Sequence, residues 1–250
     1  MRTAGHRTRA DFPWPSVLLL GLLLSACSRN DGETVLGSVF RVEGTAVASQ
    51  RTKADRSRPL SAGIQFAAGD EIRVLTDSSA ALCLTPGIYL QCFGPAGLQI
   101  EKLRVSKDGD ETGDAMKSRL ATIRLGEGRI HAFLPGAGSA RSELKINTEA
   151  AGTIVASPGS LFSVVLNRES IRVLCIRGEL RWSYAPTFST SILAGYYCER
   201  KLSDHAVADA IPASEDAAAQ REVIAALDSA QYLEELETAA RNAPAPWRIH

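Results

Sequence analysis

Histidine and carboxylate side chains are the groups whose types and spacing could carry out chemistry in this chain of 250 residues. Of the four histidines, His6 and His250 lie near the ends of the chain, and His131 and His205 are far apart in sequence. No metal-ligand spacing surrounds either of the two internal ones. We therefore interpret His131 as an ordinary imidazole on a strand surface, and we expect no metal, no cofactor and no catalytic residue.

Carboxylates offer one alternative to this non-catalytic interpretation. Asp70 and Glu71 are adjacent, so on a strand they point to opposite faces and cannot cooperate as acid and base. Glu127, Glu143 and Glu179 are separated in sequence but could meet in a cleft, as the carboxylate pairs of glycosidases do. A carbohydrate-active or other hydrolytic β protein of the cell envelope is therefore the alternative function.

Residues 1–27 are typical of a signal peptide, with a basic start and a short apolar core, Ser16–Leu24. That core is too short to cross a bilayer stably as a helix. It ends in Leu24-Ser25-Ala26-Cys27, which resembles the lipobox of bacterial lipoproteins, in which the cysteine becomes the acylated N-terminus. Ser28 in the next position resembles the outer-membrane default. We predict lipidation at Cys27 and a location on the periplasmic face of the outer membrane.

The other cysteines, Cys83, Cys92, Cys175 and Cys198, are even in number, and an oxidising compartment would allow them to pair. Cys83 and Cys92 flank one tight turn, and Cys175 and Cys198 could lie on neighbouring strands. One or two disulfides are therefore possible products of export. Buried free thiols are the alternative, since cysteine is among the most buried residue types.

Charge and composition exclude one class of partner and favour one class of fold. Lys and Arg number 28 and Asp and Glu also number 28, so the chain has no basic excess of the kind that nucleic acid attracts. Short apolar runs follow one another from residue 36 to 202, separated by Gly, Pro, Asp and Ser turns. The clearest are Gly152–Ala156, Leu161–Leu166 and Ile171–Ile176. No helical pattern lies between them, which predicts an all-β domain.

Two polar segments interrupt the strands. Gln50–Pro59 is interpreted as a solvated loop and Ser106–Lys117 as an acidic surface loop. The second segment alternates acidic residues from Asp108 as a calcium loop would. Its twelfth position is Arg119, however, where a calcium loop needs a bidentate Glu, so we expect no calcium site.

Helical periodicity is confined to the C-terminal part of the chain. Ser214 is a candidate cap, with Glu215 and Asp216 in the first turn. The apolar stripe consists of Val223, Leu227, Ala230, Leu233 and Leu236. We predict a polar tether over 28–35, a linker over 203–213, an amphipathic helix over 214–242 and a tail over 243–250. The helix could dock on the β domain, or pair with another helix or a partner protein.

Several motifs resemble those of the FecR domain family, over roughly Gly37–Leu202. The most recognisable segment contains a turn and strand, then a polar turn, a second strand and a closing turn: Pro158-Gly159-Ser160-Leu161-Phe162-Ser163-Val164 and Arg177-Gly178-Glu179-Leu180. Upstream, the family's order of Leu, Gly, Gly-Asp and alternating apolar residues is matched by Leu60-Ser61-Ala62-Gly63-Ile64, Ala68-Gly69-Asp70-Glu71-Ile72 and Ser79-Ala80-Ala81-Leu82-Cys83-Leu84. The family usually carries Arg-Gly-Thr where this chain has Pro158-Gly159-Ser160, so no role of that Arg is carried over. The resemblance implies short stacked strands in a β-solenoid-like or sandwich arrangement, and it favours the solenoid-like form.

The resemblance also directs the functional expectation. FecR proteins are anti-sigma regulators with a cytoplasmic helical domain, one membrane span and a periplasmic β region that senses an outer-membrane transporter. The residues before Cys27 leave no room for that cytoplasmic domain, so we do not expect direct sigma-factor control. We expect a non-catalytic lipoprotein of the bacterial envelope that binds or senses an unidentified protein or polymer, with its membrane contact through the lipid on Cys27.

Overall fold

The computed structural model describes residues 32–50, 53–107, 116–136, 141–185, 188–204 and 209–242. Several predictions fall outside these residues: the signal peptide with Cys27, the tether up to residue 31, the calcium-like loop from residue 108 to 115, and the tail from residue 243. His6, His205 and His250 lie outside them as well. No helix within the described ranges is long and apolar enough to cross a membrane.

The described chain is built of strands followed by one long helix, which confirms the predicted fold class. The elements are β1 (Glu33–Thr34), β2 (Gly37–Glu43), β3 (Ala46–Gln50), β4 (Lys53–Pro59), β5 (Gln65–Phe66), β6 (Asp70–Val74), β7 (Ser79–Thr85), β8 (Ile88–Lys107), β9 (Met116–Phe133), β10 (Arg141–Thr148), β11 (Gly152–Ala156), β12 (Leu161–Leu166), β13 (Ser170–Arg177), β14 (Glu179–Ala185), β15 (Phe188–Leu193), β16 (Tyr196–Lys201), β17 (Ile211–Pro212) and α1 (Ala217–Asn242).

The strand pairings form two layers that share β8 and β9. One layer runs β5–β2–β7–β8–β9–β12–β13–β16–β17. The other runs β4–β3–β6–β8–β9–β10–β11–β14–β15. All of these pairs are antiparallel except β9 with β10. The arrangement is therefore of the sandwich kind, because a solenoid stacks its coils through parallel pairing.

Two long strands replace four short ones that the sequence predicts. Ile88–Phe93 and Leu98–Val105 are parts of β8, and Leu120–Arg124 and Gly128–Leu134 are largely parts of β9. The glycines between them mark bends rather than ends: Gly128 has φ +111°, and the register between β8 and β9 shifts at the same level. Such a shift lets one strand turn from the first layer into the second.

The hydrophobic core lies between the two layers. Alternate residues of each strand point into it and are almost wholly buried, as the two-residue period of a strand requires. Its largest side chain is that of Trp182, whose Nε1–H donates to the carbonyl oxygen of Ala151 at 2.8 Å. The first layer contributes Leu82, Leu90, Ile130, Val164 and Val173, and the second contributes Ile72, Leu98, Ile123, Ile154 and Leu180.

The segment Gln50–Pro59 is not the loop that its polarity predicts. Most of it forms β4, an edge strand that pairs with β3 through Val47 opposite Pro59 and Ala48 opposite Arg58. An edge strand exposes much of its surface, so it needs no apolar alternation and carries no sequence signal of a strand. Pro59 is compatible with this position because edge strands leave backbone groups unpaired.

The residues of the family resemblance determine backbone turns. Gly69 has φ +97°, and the carboxylate of the neighbouring Asp70 accepts a hydrogen bond from the backbone N–H of Ala67 at 3.0 Å. Gly178 packs so closely on Ser160 that a Cβ would lie 2.8 Å from its Oγ. The two most recognisable motif segments therefore meet in space, and they specify chain direction rather than a reacting group.

Helix α1 begins after a 3₁₀ turn, Ala213–Glu215, and its cap differs from the predicted one. Asp216, and not Ser214, caps the helix: its Oδ1 accepts from the backbone N–H groups of Ala218 at 2.6 Å and Ala219 at 3.0 Å. The sequence allowed either residue, because both types are good caps. The 3₁₀ turn delays the start of the α-helix and thereby selects the later one.

The helix packs on the outer face of the first layer, against β8, β9, β12 and β13. Docking on the β domain is thus the outcome for the described chain. The buried face contains Ala226, Ser229, Ala230 and Leu233, whereas Leu227, assigned to the stripe, is 45% exposed. The true face is rotated by about one residue because it includes polar side chains that an apolar pattern cannot detect.

Replacing Asp216 by Ala should destabilise the protein, since two amide groups at the helix start lose their acceptor. We expect the Asp216→Ala variant to melt several degrees below the wild type, the usual order for a lost cap in a chain of this size. Ser214→Ala is the matched control, and its melting temperature should stay within about a degree of the wild type. If thermal scans by circular dichroism show equal changes in melting temperature for the two variants, the assignment of Asp216 as the cap is wrong.

Candidate functional site at the helix–sheet interface

His131, on β9, is the centre of a polar cluster beneath α1. Its ring is completely buried, which corrects the expectation of a strand-surface imidazole. Nδ1 lies 2.6 Å from Oγ of Ser229, and Nε2 lies 2.8 Å from Oε1 of Glu222. Both partners belong to α1 and are two helical turns apart, so the ring bridges the sheet to one face of the helix.

Two further strand residues contact the same carboxylate. Ser163 on β12 lies directly opposite His131 in the antiparallel pair and donates its hydroxyl to Oε1 of Glu222 at 2.6 Å. Arg129 precedes His131 by two residues on β9, which places it on the same face, and its Nη1 is 3.5 Å from Oε2 of Glu222. We call Arg129, His131, Ser163, Glu222 and Ser229 the buried polar cluster.

Phe93 forms one wall of this cluster. It lies opposite Arg129 in the pairing of β8 with β9. The ring centroid of Phe93 is 4.7 Å from that of His131, and Cζ of Arg129 lies 4.5 Å from the Phe93 centroid. An aromatic face attracts a nearby cation, so Phe93 holds the guanidinium of Arg129 in position beside Glu222.

The hydrogen bonds of the cluster can be satisfied in either protonation state of His131. An ionised Glu222 can only accept, so Nε2–H of His131 donates to it. When Nδ1 also carries a proton it donates to Ser229, whose own hydroxyl donates to the carbonyl oxygen of Ala225 at 2.9 Å. When Nδ1 is bare, the hydroxyl of Ser229 can rotate and donate to it.

Glu222 has a strongly shifted pKa. Burial acts to raise it, but the hydrogen bonds from His131 and Ser163 and the charges of His131 and Arg129 act more strongly in the opposite direction. The pKa of Glu222 falls from its usual 4.5 to about 2. The carboxylate is therefore ionised throughout the neutral range, and it holds the sheet and the helix together as a charged acceptor.

The cluster has the residue types of a nucleophile–base–carboxylate relay, Ser229, His131 and Glu222. Reaction requires that a substrate reach the serine oxygen, yet His131 is 0% and Ser229 5% exposed. The helix itself covers both residues. The arrangement therefore stabilises the docked helix and has no access for a substrate.

Apolar contacts surround the polar ones on the same sheet face. They form a cluster separate from the main core: Ala81, Cys83, Tyr89, Phe133, Leu161, Ala230 and Leu233. Beside it, Tyr232 and Gln91 line a small cavity with room for about one water molecule. The hydroxyl of Tyr232 and Oε1 of Gln91 have no protein partner, so a water molecule there would satisfy both.

The three candidate carboxylates of a hydrolase do not form one site. Glu127 lies about 23 Å along β9 from Leu120, the residue that pairs with Glu143, at the usual rise per residue of a strand. Glu143 and Glu179 are level with each other on β10 and β14, two strand spacings or about 10 Å apart. Both are exposed, and Glu143 lies 3.9 Å from Nζ of Lys145. An exposed pair lacks the apolar setting that keeps a catalytic acid protonated.

The four described cysteines are buried and no disulfide joins them, which is the alternative that the sequence left open. Cys83 faces the helix and Cys92 faces the main core, so they lie on opposite sides of their hairpin. Cys175 and Cys198 are on neighbouring strands, as the sequence allowed, and they share one face, but Cys198 lies opposite Val173. Such a diagonal pair is about 7–8 Å apart, beyond the usual reach of a disulfide. Their linkage in the exported protein stays a prediction.

Burial makes the thiols of Cys175 and Cys198 poor nucleophiles, because it raises their pKa. It raises the pKa of Cys198 to about 11, with the charge of Asp209 adding to the effect. It raises the pKa of Cys175 to about 12, with the charge of Glu179 adding to it. Across the described residues, no group of three or more His, Cys, Asp or Glu side chains could hold a metal ion.

No known protein family and no curated protein matches the chain. Two crystal structures of a protein from Parabacteroides distasonis ATCC 8503, provisionally named an anti-sigma factor, are similar to it with a TM-score of 0.41. Their identity is 14% and 15%, and each comparison covers 57% of this chain and 59% of the other. The chain thus spans about three-fifths of those structures.

Removal of the Glu222 carboxylate should weaken the whole protein. In the Glu222→Ala variant the buried His131 and Ser163 lose their common acceptor, and each buried polar group left unsatisfied costs about 1–3 kcal/mol. We expect a loss of about that size in the free energy of unfolding measured with urea. Glu235→Ala, on the exposed side of the same helix, should change it by less than about 0.5 kcal/mol. Similar losses in the two variants would contradict the assigned role of the cluster.

Acid should remove the contribution of Glu222. Its pKa in the folded protein lies below the usual 4.5, so its contribution is fully present above that pH and is lost as the pH falls toward about 2. We expect the difference in unfolding free energy between wild type and Glu222→Gln to reach its full size by about pH 5 and to decline below about pH 4.5. A difference independent of pH in this range would exclude an ionised Glu222 as the stabilising group.

Proposed function

We propose that this chain is a lipid-anchored protein of the bacterial cell envelope, whose FecR-like β domain is a non-catalytic module that binds or senses a protein or polymer. The observation that supports it best is the burial of His131, Ser163 and Ser229 beneath the helix, where the side chain of Glu222 is 13% exposed. The residue types that could react are occupied with one another under the helix. Other molecules would therefore bind to the surface of the folded protein.

The proposed location rests on the sequence before the β domain. A basic start, a short apolar core and Leu24-Ser25-Ala26-Cys27 occur in the order that lipoprotein export requires. Acyl chains at Cys27 would contribute about 0.8 kcal/mol for each buried CH₂ group, so two or more of them anchor a chain stably. Ser28 favours the outer membrane as the destination.

Membership of the FecR family is part of the proposal. The residues that carry the resemblance shape the backbone: Gly69 and Gly178 form turns, and the Asp70 carboxylate accepts a hydrogen bond within the first of them. A family that senses a partner through a periplasmic β region fits a domain in which His131, Ser163 and Glu222 are hydrogen-bonded to one another. The sensing role itself is carried over from the resemblance.

One surface of the folded body is suited to contact a partner. On the outer side of α1, Ile224 is 61% and Leu227 45% exposed. Arg221 and Asp228, both exposed, lie one turn before and one turn after Ile224. We propose that this pair, with the charges beside it, is part of the surface that a partner contacts.

The anchor can be tested on the full chain carrying a C-terminal tag, expressed in a Gram-negative host with a fatty-acid probe in the medium. We expect wild-type protein to incorporate the probe and to sediment with membranes, and to give a reproducible cross-linked product in intact cells. Cys27→Ser should lose the probe, move to the soluble fraction and give less of that product, because the chain is no longer confined to the bilayer.

Cys83→Ala is the matched control, since it removes a buried thiol and leaves the lipobox intact. It should retain both the probe and the membrane fraction. Labelling of Cys27→Ser, or its continued sedimentation with membranes, contradicts lipid anchoring. Absence of any cross-linked product from the wild type contradicts the binding role.

A further inference from the structure

Strand β15 has an edge that no described strand occupies. It pairs with β14 from Glu179 opposite Leu193 to Ala185 opposite Phe188, and this is its only strand register in the described chain. Backbone N–H and C=O groups on the other side of such a strand are available to pair with a further strand.

The two ends of the second layer differ in chemistry. At one end β4, with the sequence Lys-Ala-Asp-Arg-Ser-Arg-Pro, carries charges and a proline, which natural proteins use to discourage edge pairing. At the other end β15, Phe-Ser-Thr-Ser-Ile-Leu, carries neither. The β4 edge of the second layer is therefore protected against pairing with another strand, whereas the β15 edge is not.

The side chains of β15 divide between two faces. Phe188, Thr190 and Ile192 share the face directed toward the core, and Ile192 is buried there. Ser189 and Ser191, with Leu193, share the outer face, where both serines are exposed. Phe188 is 41% exposed although its ring centroid lies 4.4 Å from that of Tyr184, so part of its apolar surface is left uncovered at this edge.

We propose that β15 pairs antiparallel with β15 of a second copy of this chain, about a twofold axis at Thr190. In this register Phe188 lies opposite Ile192 of the second copy, Ser189 opposite Ser191, and Thr190 opposite Thr190. Directly opposite residues of an antiparallel pair share a face, so the two second layers continue into each other with their core faces aligned. The inference goes beyond the proposed function and does not depend on it.

The composition of β15 supports a second copy as the occupant. Apolar residues meet apolar ones at both Phe188–Ile192 pairs, hydroxyl groups meet at the remaining positions, and no like charges are opposed. Moving the axis to Ser191 would instead place Ile192 opposite Thr190 and Leu193 opposite Ser189. A twofold pairing also closes on itself, so it gives a dimer and leaves no free copy of the edge.

The test uses two differently tagged copies of the full chain, co-expressed, solubilised and co-purified through one tag. Wild-type copies should co-purify. Ser189→Lys/Ser191→Lys places Lys opposite Lys at two symmetric pairs, so two copies of this variant should co-purify about tenfold less. Two copies of Ser189→Glu/Ser191→Glu should do the same, and one copy of each variant should restore co-purification, because Lys then lies opposite Glu.

Ser61→Lys is the control, since Ser61 is equally exposed and lies outside β15. It should co-purify like the wild type. Restoration by the mixed pair also shows that each charged variant is folded. The proposal is overturned if wild-type copies fail to co-purify, which is the result expected if a strand of another protein pairs with β15. It is also overturned if two copies of the Lys variant still co-purify, or if the mixed pair of Lys and Glu variants does not.

Discussion

The contact between the Glu222 carboxylate and the sheet is the interaction on which the outer half of the structure depends. A single ionised group accepts from His131 and Ser163 and lies beside Arg129, and all three project from one sheet face. Burying a charge is costly unless it is paired and hydrogen-bonded, and this one is both. Apolar packing at Leu161 and Leu233 supplies area, whereas the cluster fixes where along the sheet the helix lies.

The sheet can present those three groups together because β9 is shared by both layers. Its first part pairs with β10 in one layer and its last part with β12 in the other. The bend at Gly128 separates the two parts, and Arg129 and His131 follow it immediately. Residues that shape the backbone and residues that bind the helix thus occupy one short stretch of a single strand.

The sequence predicts most of the strands and the helix, because alternation and turn residues are local signals. It does not predict that β8 and β9 continue through Gly-Pro and Gly-Glu-Gly, since those residues usually end a strand. The sequence does not predict β4, because an exposed edge strand lacks the alternating apolar residues by which strands are recognised. The sequence does not predict the buried polar cluster, because Glu222 and Ser229 interrupt the apolar stripe of the helix. The only signal of a shared partner is that these two residues are two helical turns apart while His131 has no assigned role.

The position of Glu222 late in the chain has a consequence for the order of folding. Every strand of the sandwich emerges before the helix does, whether from the ribosome or across a membrane. Until the helix arrives, His131 and its apolar neighbours Tyr89, Phe133 and Leu161 remain open to solvent. The newly made β domain therefore passes through a period in which this apolar sheet face, with Arg129 beside it, is exposed, and a chaperone that covers the face would have to leave before the last segment could dock.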